Sequence, residues 1–152
     1  MPKLNLDAIE QNNSTGYPAP FRSEVQGRWV RRLAPASGLR DFTASHVVLK
    51  PGAWSSQRHW HDTEDELLVM ISGEAVLVED AIGPNGGRTP LRPGDVCAWP
   101  QGTGNGHHVI NESDADCCFV VVGGGIRTGG GYSDIDMMFT ASGYTRKDGT
   151  PY

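Results

Sequence analysis

Residues 58–66, Arg58-His59-Trp60-His61-Asp62-Thr63-Glu64-Asp65-Glu66, run into the apolar stretch 67–71 and close at Gly73. Side chains on a strand alternate between its two faces, so His59 and His61 project to the same side. Glu66 opens the next apolar run, after a short acidic turn. Three donors for a divalent metal could thus lie within one hairpin. A fourth candidate, His107 or His108, follows the glycine- and proline-marked segment 94–106. Neutral imidazole is the commonest protein metal ligand and suits zinc, iron, nickel and copper. Buried histidines without a metal would need hydrogen-bond partners from an interior short of them.

Working outward, a strand over 54–61 would place Ser55, Gln57, His59 and His61 on one small, polar face, suited to a metal cavity. Trp54, Ser56, Arg58 and Trp60 would share the other face. Further short runs rich in Val, Ile, Trp, Phe and Thr predict strands at 28–33, 42–50, 66–72, 75–79, 96–99, 107–111 and 117–122. Pro51-Gly52, Ser72-Gly73, residues 83–87, Pro93-Gly94, residues 102–106 and residues 123–125 mark the turns. With 20 glycines and 10 prolines there is little room for long helices. Strands this short and evenly spaced predict an all-β sandwich or barrel. Residues 1–20 read as a poorly ordered polar arm with one helical turn near 4–10. Residues 132–139 read as a partly apolar tail that packs back on the barrel or on a second subunit.

The 152 residues make a single domain, 1–152, able to bury one core. A formal charge of −5 and a pI near 5.4 argue against nucleic acid or an anionic membrane as partner. The polar start lacks a signal-peptide core, and the longest apolar runs are too short to span a bilayer, so a cytoplasmic location is expected. Three cysteines, two of them adjacent, suit free thiols better than a disulfide framework.

The two segments together resemble the cupin superfamily. Its first motif is matched by Gly52, His59, His61, Glu66 and Gly73, its second by Gly94, Pro100, Gly102, His107 and Asn111. The resemblance covers about residues 28–124, the barrel core. It is nearest to small single-domain bacterial cupins, a group often labelled sugar-phosphate-isomerase-like. It implies a double-stranded β-helix, or jelly-roll, in which His59, His61, Glu66 and His107 hold one divalent ion, Zn, Fe, Mn or Ni. His107 is favoured over His108 because it keeps the family's spacing to Asn111. Pairing of barrels in the family implies a homodimer, with Trp29, Trp54, Trp60 and residues 135–139 as interface material.

Three imidazoles and one carboxylate admit several chemistries. The first is Lewis-acid, isomerase- or epimerase-like action on a hydroxylated or carbonyl small molecule such as a sugar or sugar phosphate. Ser55, Gln57 and Cys97 are the candidates for its pocket. The others are an iron-dependent dioxygenase and a non-catalytic small-molecule or metal-binding module. The phosphate version needs positive charge, and the motif offers only Arg58, expected to point outward. His46 reads as structural or exposed, Glu64 and Asp65 as solvated turn residues, and residues 83–87 as a hairpin loop. Residues 129–131 lack the helix that would make them a phosphate loop.

Overall fold

The computed structural model describes residues 3–80, 87–126 and 128–152. The chain forms β1 (Arg28–Arg32), the single-turn α1 (Leu33–Ser37), β2 (Phe42–Leu49), β3 (His59–His61), β4 (Glu64–Ser72), β5 (Ala75–Glu79), β6 (Arg88–Leu91), β7 (Val96–Trp99), β8 (His107–Ile110), β9 (Cys117–Gly125), β10 (Gly129–Tyr132), β11 (Met138–Thr140) and β12 (Gly143–Thr145). Two antiparallel sheets form the jelly-roll-like barrel. One has five strands in the order β1-β2-β9-β4-β7, the other seven in the order β12-β11-β10-β3-β8-β5-β6. The inner faces meet in a core of Val47, Leu49, Leu68, Met70, Leu77, Leu91, Trp99, Val109, Cys117 and Phe119. Burying each large apolar chain stabilises the barrel by about 1.5–3 kcal/mol.

Most predicted strands are present with shifted ends, and the differences have physical causes. Residues 55–58 bend instead of continuing β3. The Ser55 amide donates to the Val109 carbonyl at 2.7 Å, but the return bond from the Val109 amide goes to the Ser55 hydroxyl at 2.9 Å, and the Gln57 amide donates to the Tyr17 hydroxyl at 3.3 Å, so side chains interrupt the regular ladder. Face alternation fails there. β6 escapes a strand pattern because it holds Pro90, which is tolerated on this outermost strand of its sheet. The loop expected at 83–87 lies mostly outside the described residues.

Residues 3–20 and the tail are ordered parts of the fold, contrary to the reading of the start as a loose arm. Asn12 exchanges backbone hydrogen bonds with Val30 at 3.1 and 2.8 Å. A 3-10 turn at Leu6–Ala8 falls within the expected helical turn. Tyr17 and Val25 sink into a second apolar cluster with Tyr132, Met137 and Phe139. The tail therefore packs on its own chain: β10, β11 and β12 extend the larger sheet beyond β3.

β10 is nearly all glycine, and its position explains why. Gly130 opposes His61 and Gly131 opposes Trp60 across the β3–β10 ladder. A Cβ on Gly130 would run into the Trp60 carbonyl and the Phe139 ring, and one on Gly131 into the Trp60 ring. These glycines serve close strand and side-chain approach, with ordinary negative φ.

A candidate metal centre in the barrel

β3 carries His59 and His61 inward, β4 carries Glu66, and β8 carries His107, which lies directly opposite His59 in the ladder. One donor atom from each of these four residues lies within 4.8 Å of the others. Donors about 2.0–2.2 Å from a common ion span a little over 4 Å at most, so slight closure would let one ion hold all four.

Each histidine has an acceptor beside Nδ1. His59 Nδ1 is 3.0 Å from the Gln57 carbonyl and 3.1 Å from Ser56 Oγ. His107 Nδ1 is 3.1 Å from the Asn105 carbonyl, and His61 Nδ1 is 3.1 Å from Glu64 Oε2. Such partners orient an imidazole so that Nε2 is left for a metal. Both ring nitrogens of His61 and Nε2 of His107 are buried without an aligned hydrogen-bond partner. Glu66 Oε2 stands 2.9 Å from Nε2 of His61 and 3.8 Å from Nε2 of His107, yet no hydrogen bond aligns. Atoms converging on one point without donor–acceptor alignment are what an ion between them would need. The residues fit a divalent metal.

Aromatic rings lock the arrangement. Trp99 stacks flat on His107, with centroids 4.0 Å apart and planes at 5°, and its indole N–H donates to Glu79 at 2.9 Å. Tyr132 stacks on His59 at 5.7 Å, and Phe139 meets the edges of His59 and His61.

The electrostatics separate the two β3 histidines. Burial holds the His59 pKa down to about 3 despite the opposing Glu66 charge, with His107 and His61 adding to the fall, so the ring is neutral. Burial also disfavours a charged His61, but the Glu64 and Glu66 carboxylates outweigh it and raise that pKa to about 9. Burial pushes the Glu66 pKa up, and His107 and His61 more than reverse this, leaving it well below the usual carboxylate range. Glu66 is an anion ready to ligate.

The cluster sits in a cavity of about 390 Å³ that opens between β1, the arm at residues 14–17 and Tyr144. Ser55 and Ser56 line it. Gln57 and Cys97 are not among the lining residues. Gln57, though buried, turns away from the cavity, its Nε2 donating to the Phe21 carbonyl at 3.3 Å and to Glu24 at 3.2 Å, because the bend at 55–58 breaks the alternation. Cys97 packs half-buried against the core. His108 also borders the cavity but stands outside the ligand cluster, its Nδ1 2.9 Å from the Ser56 carbonyl and its ring edge-on to Trp54. Glu64 corrects the expectation of a solvated turn residue: it begins β4, is buried, and pairs with His61. Asn111, fully buried, is structural: its amide donates to the Leu49 and Ala115 carbonyls at 2.9 and 2.8 Å and accepts from Ser113. His46 lies on the outer face with Nε2 3.0 Å from Cys118 Sγ, and Arg58 points outward to Asp134 and Asp80.

The cupin domain family matches residues 45–123, more than half of the chain and both motif segments. The chain belongs to the cupin domain family. Among solved structures, this cupin is similar to a sugar phosphate isomerase of the cupin superfamily from Silicibacter pomeroyi. Identity is 44%, with 99% of this chain and 96% of that one covered and a TM-score of 0.90. It is also similar to a cupin 2 conserved barrel domain protein from Salinispora arenicola, at 27% identity, 81% and 86% coverage and TM-score 0.54. A polyketide cyclase from Streptomyces resistomycificus shares the fold at 18% identity, 89% and 87% coverage and TM-score 0.68. No curated protein matches. No helix among the described residues is long and apolar enough to cross a membrane.

Proposed function

We propose that this cupin binds one divalent metal through His59, His61, Glu66 and His107. We further propose that it uses the ion as a Lewis acid on a small hydroxylated or carbonyl compound, in isomerase- or epimerase-like chemistry. The observation that carries this is the convergence of four donor atoms, with Nε2 of His61 and of His107 unpartnered, His59 and His107 each backed by a carbonyl at Nδ1, and His61 Nδ1 beside the Glu64 carboxylate. When bound, the ion would polarise a carbonyl or hydroxyl oxygen of the ligand. The chain's own residues keep His59 neutral, Glu66 ionised and His107 stacked on Trp99. A cavity of about 390 Å³ suits a compound of sugar size, within the usual range for small-molecule sites. The similarity to the sugar phosphate isomerase from Silicibacter pomeroyi supports the same chemistry. Elemental analysis of the protein against a His59→Ala, His61→Ala double variant tests the metal. Near-stoichiometric metal lost in the variant is expected. None in the wild type after reconstitution with zinc, iron, manganese and nickel in turn would sink the reading. Oxygen consumption by a ferrous form would favour a dioxygenase instead.

We also propose a homodimer, formed through the outer face of the five-stranded sheet. The register puts Trp29, Phe42, Val48, Val120, Val122, Leu67, Val69, Ile71 and Val96 on that face. Phe42, Leu67, Ile71 and Val96 are 39–60% exposed. A solvated sheet face is chiefly polar, whereas on this one apolar residues outnumber the polar Arg31, His46 and Asp65. Met137 and Phe139, expected at an interface, are instead buried within the chain.

A further inference from the structure

The cavity has a cationic side that the ligand cluster does not use. β1 presents Arg28 and Arg32 four residues apart and therefore on one face, and both line the cavity. Thr43 and Ser45 of β2 line it beside them, with Ser14 and Thr15 of the arm. Arg28 crosses the opening between the two sheets: its Nη1 donates to the Ser55 carbonyl at 2.8 Å. Its Nε is buried without a partner.

Neither guanidinium has a carboxylate within ion-pair distance among the described residues. Of the other described cations, Arg58, Arg88, Arg92 and Lys50 have carboxylate partners, while Arg22, Arg31, Arg40 and Arg146 have none; what sets Arg28 and Arg32 apart is that both line the cavity. The cavity's own carboxylates, Glu64 and Glu66, are engaged by histidines. Burial lowers the Arg28 pKa, the Tyr17 and Tyr144 phenols oppose the fall, and the charge of Arg32 adds to it. A buried cation costs free energy unless something of opposite charge answers it. That cost falls on Arg28, whose Nε is buried and unpartnered, and Arg32, exposed on the same wall, adds a second positive charge, so the pair suits an anion from outside.

We propose that Arg28 and Arg32 form an oxyanion subsite, taking the carboxylate or phosphoryl end of a small ligand whose hydroxyl or carbonyl end reaches His59, His61, Glu66 and His107. The second half of this statement rests on the metal reading above; the first does not. Guanidinium presents a planar fork that matches either group, and the hydroxyls of Thr43, Ser45 and Thr15 offer further donors. The positive charge that the motif segment lacked comes from an edge strand outside both motifs.

The test is calorimetric titration of chelator-treated, metal-free protein with inorganic phosphate and with glycolate, in the wild type, Arg32→Gln and Arg28→Lys. Saturable binding of at least one anion is expected, weakening with added salt. Arg32→Gln should weaken it roughly tenfold or more, the usual loss of one charge-assisted hydrogen bond. Arg32 is exposed at the cavity mouth, so its variant should melt with the wild type, and both variants should keep full metal content. Preference for phosphate or for glycolate assigns the phosphoryl or carboxylate form. No saturable binding at millimolar anion, or wild-type affinity retained in both Arg32→Gln and Arg28→Lys, would overturn the subsite. Because the titration is done without metal, that failure is distinct from an absence of metal in the wild type.

Discussion

Gly130→Ala is the sharpest single test of how the site is held. The added methyl would overlap the Trp60 carbonyl oxygen and sit 2.6 Å from one Phe139 ring carbon, closer still to its neighbour. Phe139 is 4% exposed, so its ring has little room to yield, and the carbonyl belongs to the backbone between His59 and His61. Relief must come from moving β3 or β10. Overpacking of this kind costs about 1–3 kcal/mol, and a backbone obstacle places it at the upper end, about 3 kcal/mol. For a chain of this size that is a fall in Tm of roughly 6–12 °C. Because His61 faces Gly130 across the ladder, the shift should also weaken metal binding about 10–100-fold, as loss of a ligand's supporting contacts does. Thermal melts of the metal-free protein and competitive metal titration read the two effects separately. Gly124→Ala is the control: its Cβ would meet nothing within 4 Å, and stability should stay within about 0.5 kcal/mol. If Gly130→Ala matched Gly124→Ala in melting and in metal affinity, the account of β10 as a strand of necessary close approach would be wrong.

The remaining expectations concern pH, the second motif and assembly. His59, His108 and His46 all have folded-state pKa values below the ordinary 6.5, chiefly through burial, so the unfolded chain binds protons first as pH falls. Their stabilisation is complete above about pH 6.5 and is lost below it, His59 alone losing about 2 kcal/mol by pH 5. His61 acts oppositely: raised to about 9 by its two carboxylates, its contribution is present below 6.5 and lost as pH rises through 9. Melting of metal-free protein should therefore peak near pH 6.5, and a flat profile from pH 5 to 9 would contradict the histidine environments. Asn111→Leu should lower stability in urea unfolding by about 4 kcal/mol, since it strands the Leu49 and Ala115 carbonyls and the Ser113 amide; a loss under 1 kcal/mol would refute the structural role. Sedimentation should give twice 16.4 kDa for the wild type and 16.4 kDa for Leu67→Asp with the barrel's circular dichroism intact; a monomeric wild type at micromolar concentration would remove the dimer.

The ligand cluster was legible because its members sit at fixed spacings on strands whose alternation is a local property. His59 and His61 are two apart, Glu66 follows one turn later, and His107 keeps its distance from Asn111. What failed was everything decided by distant partners. Gly129-Gly130-Gly131 has no strand propensity, and becomes β10 only because β3 and Phe139 leave no space for side chains. Glu64 looked like a turn residue, since nothing nearby reveals that His61 needs an acceptor behind it. Gln57 was placed by an alternation that Ser55 and Tyr17 interrupt from across the fold. Arg28 and Arg32 lie some thirty residues before the first ligand, and only the pairing of β1 with β2 brings them to the same cavity.

The pairing of β3 has a consequence for the order in which this protein comes into being on the ribosome. The three residues of β3 have β8 on one side and β10 on the other, elements made from residues 107–110 and 129–132. The ligand-bearing segment thus leaves the exit tunnel before either neighbour, and waits with its histidines unshielded until residues 107–110 and 129–132 follow. Nascent chains halted before residue 129 should have the five-stranded sheet's sequence in hand, yet lack a formed ligand cluster. Metal capture should then be a late event of synthesis, following closure of the final strands.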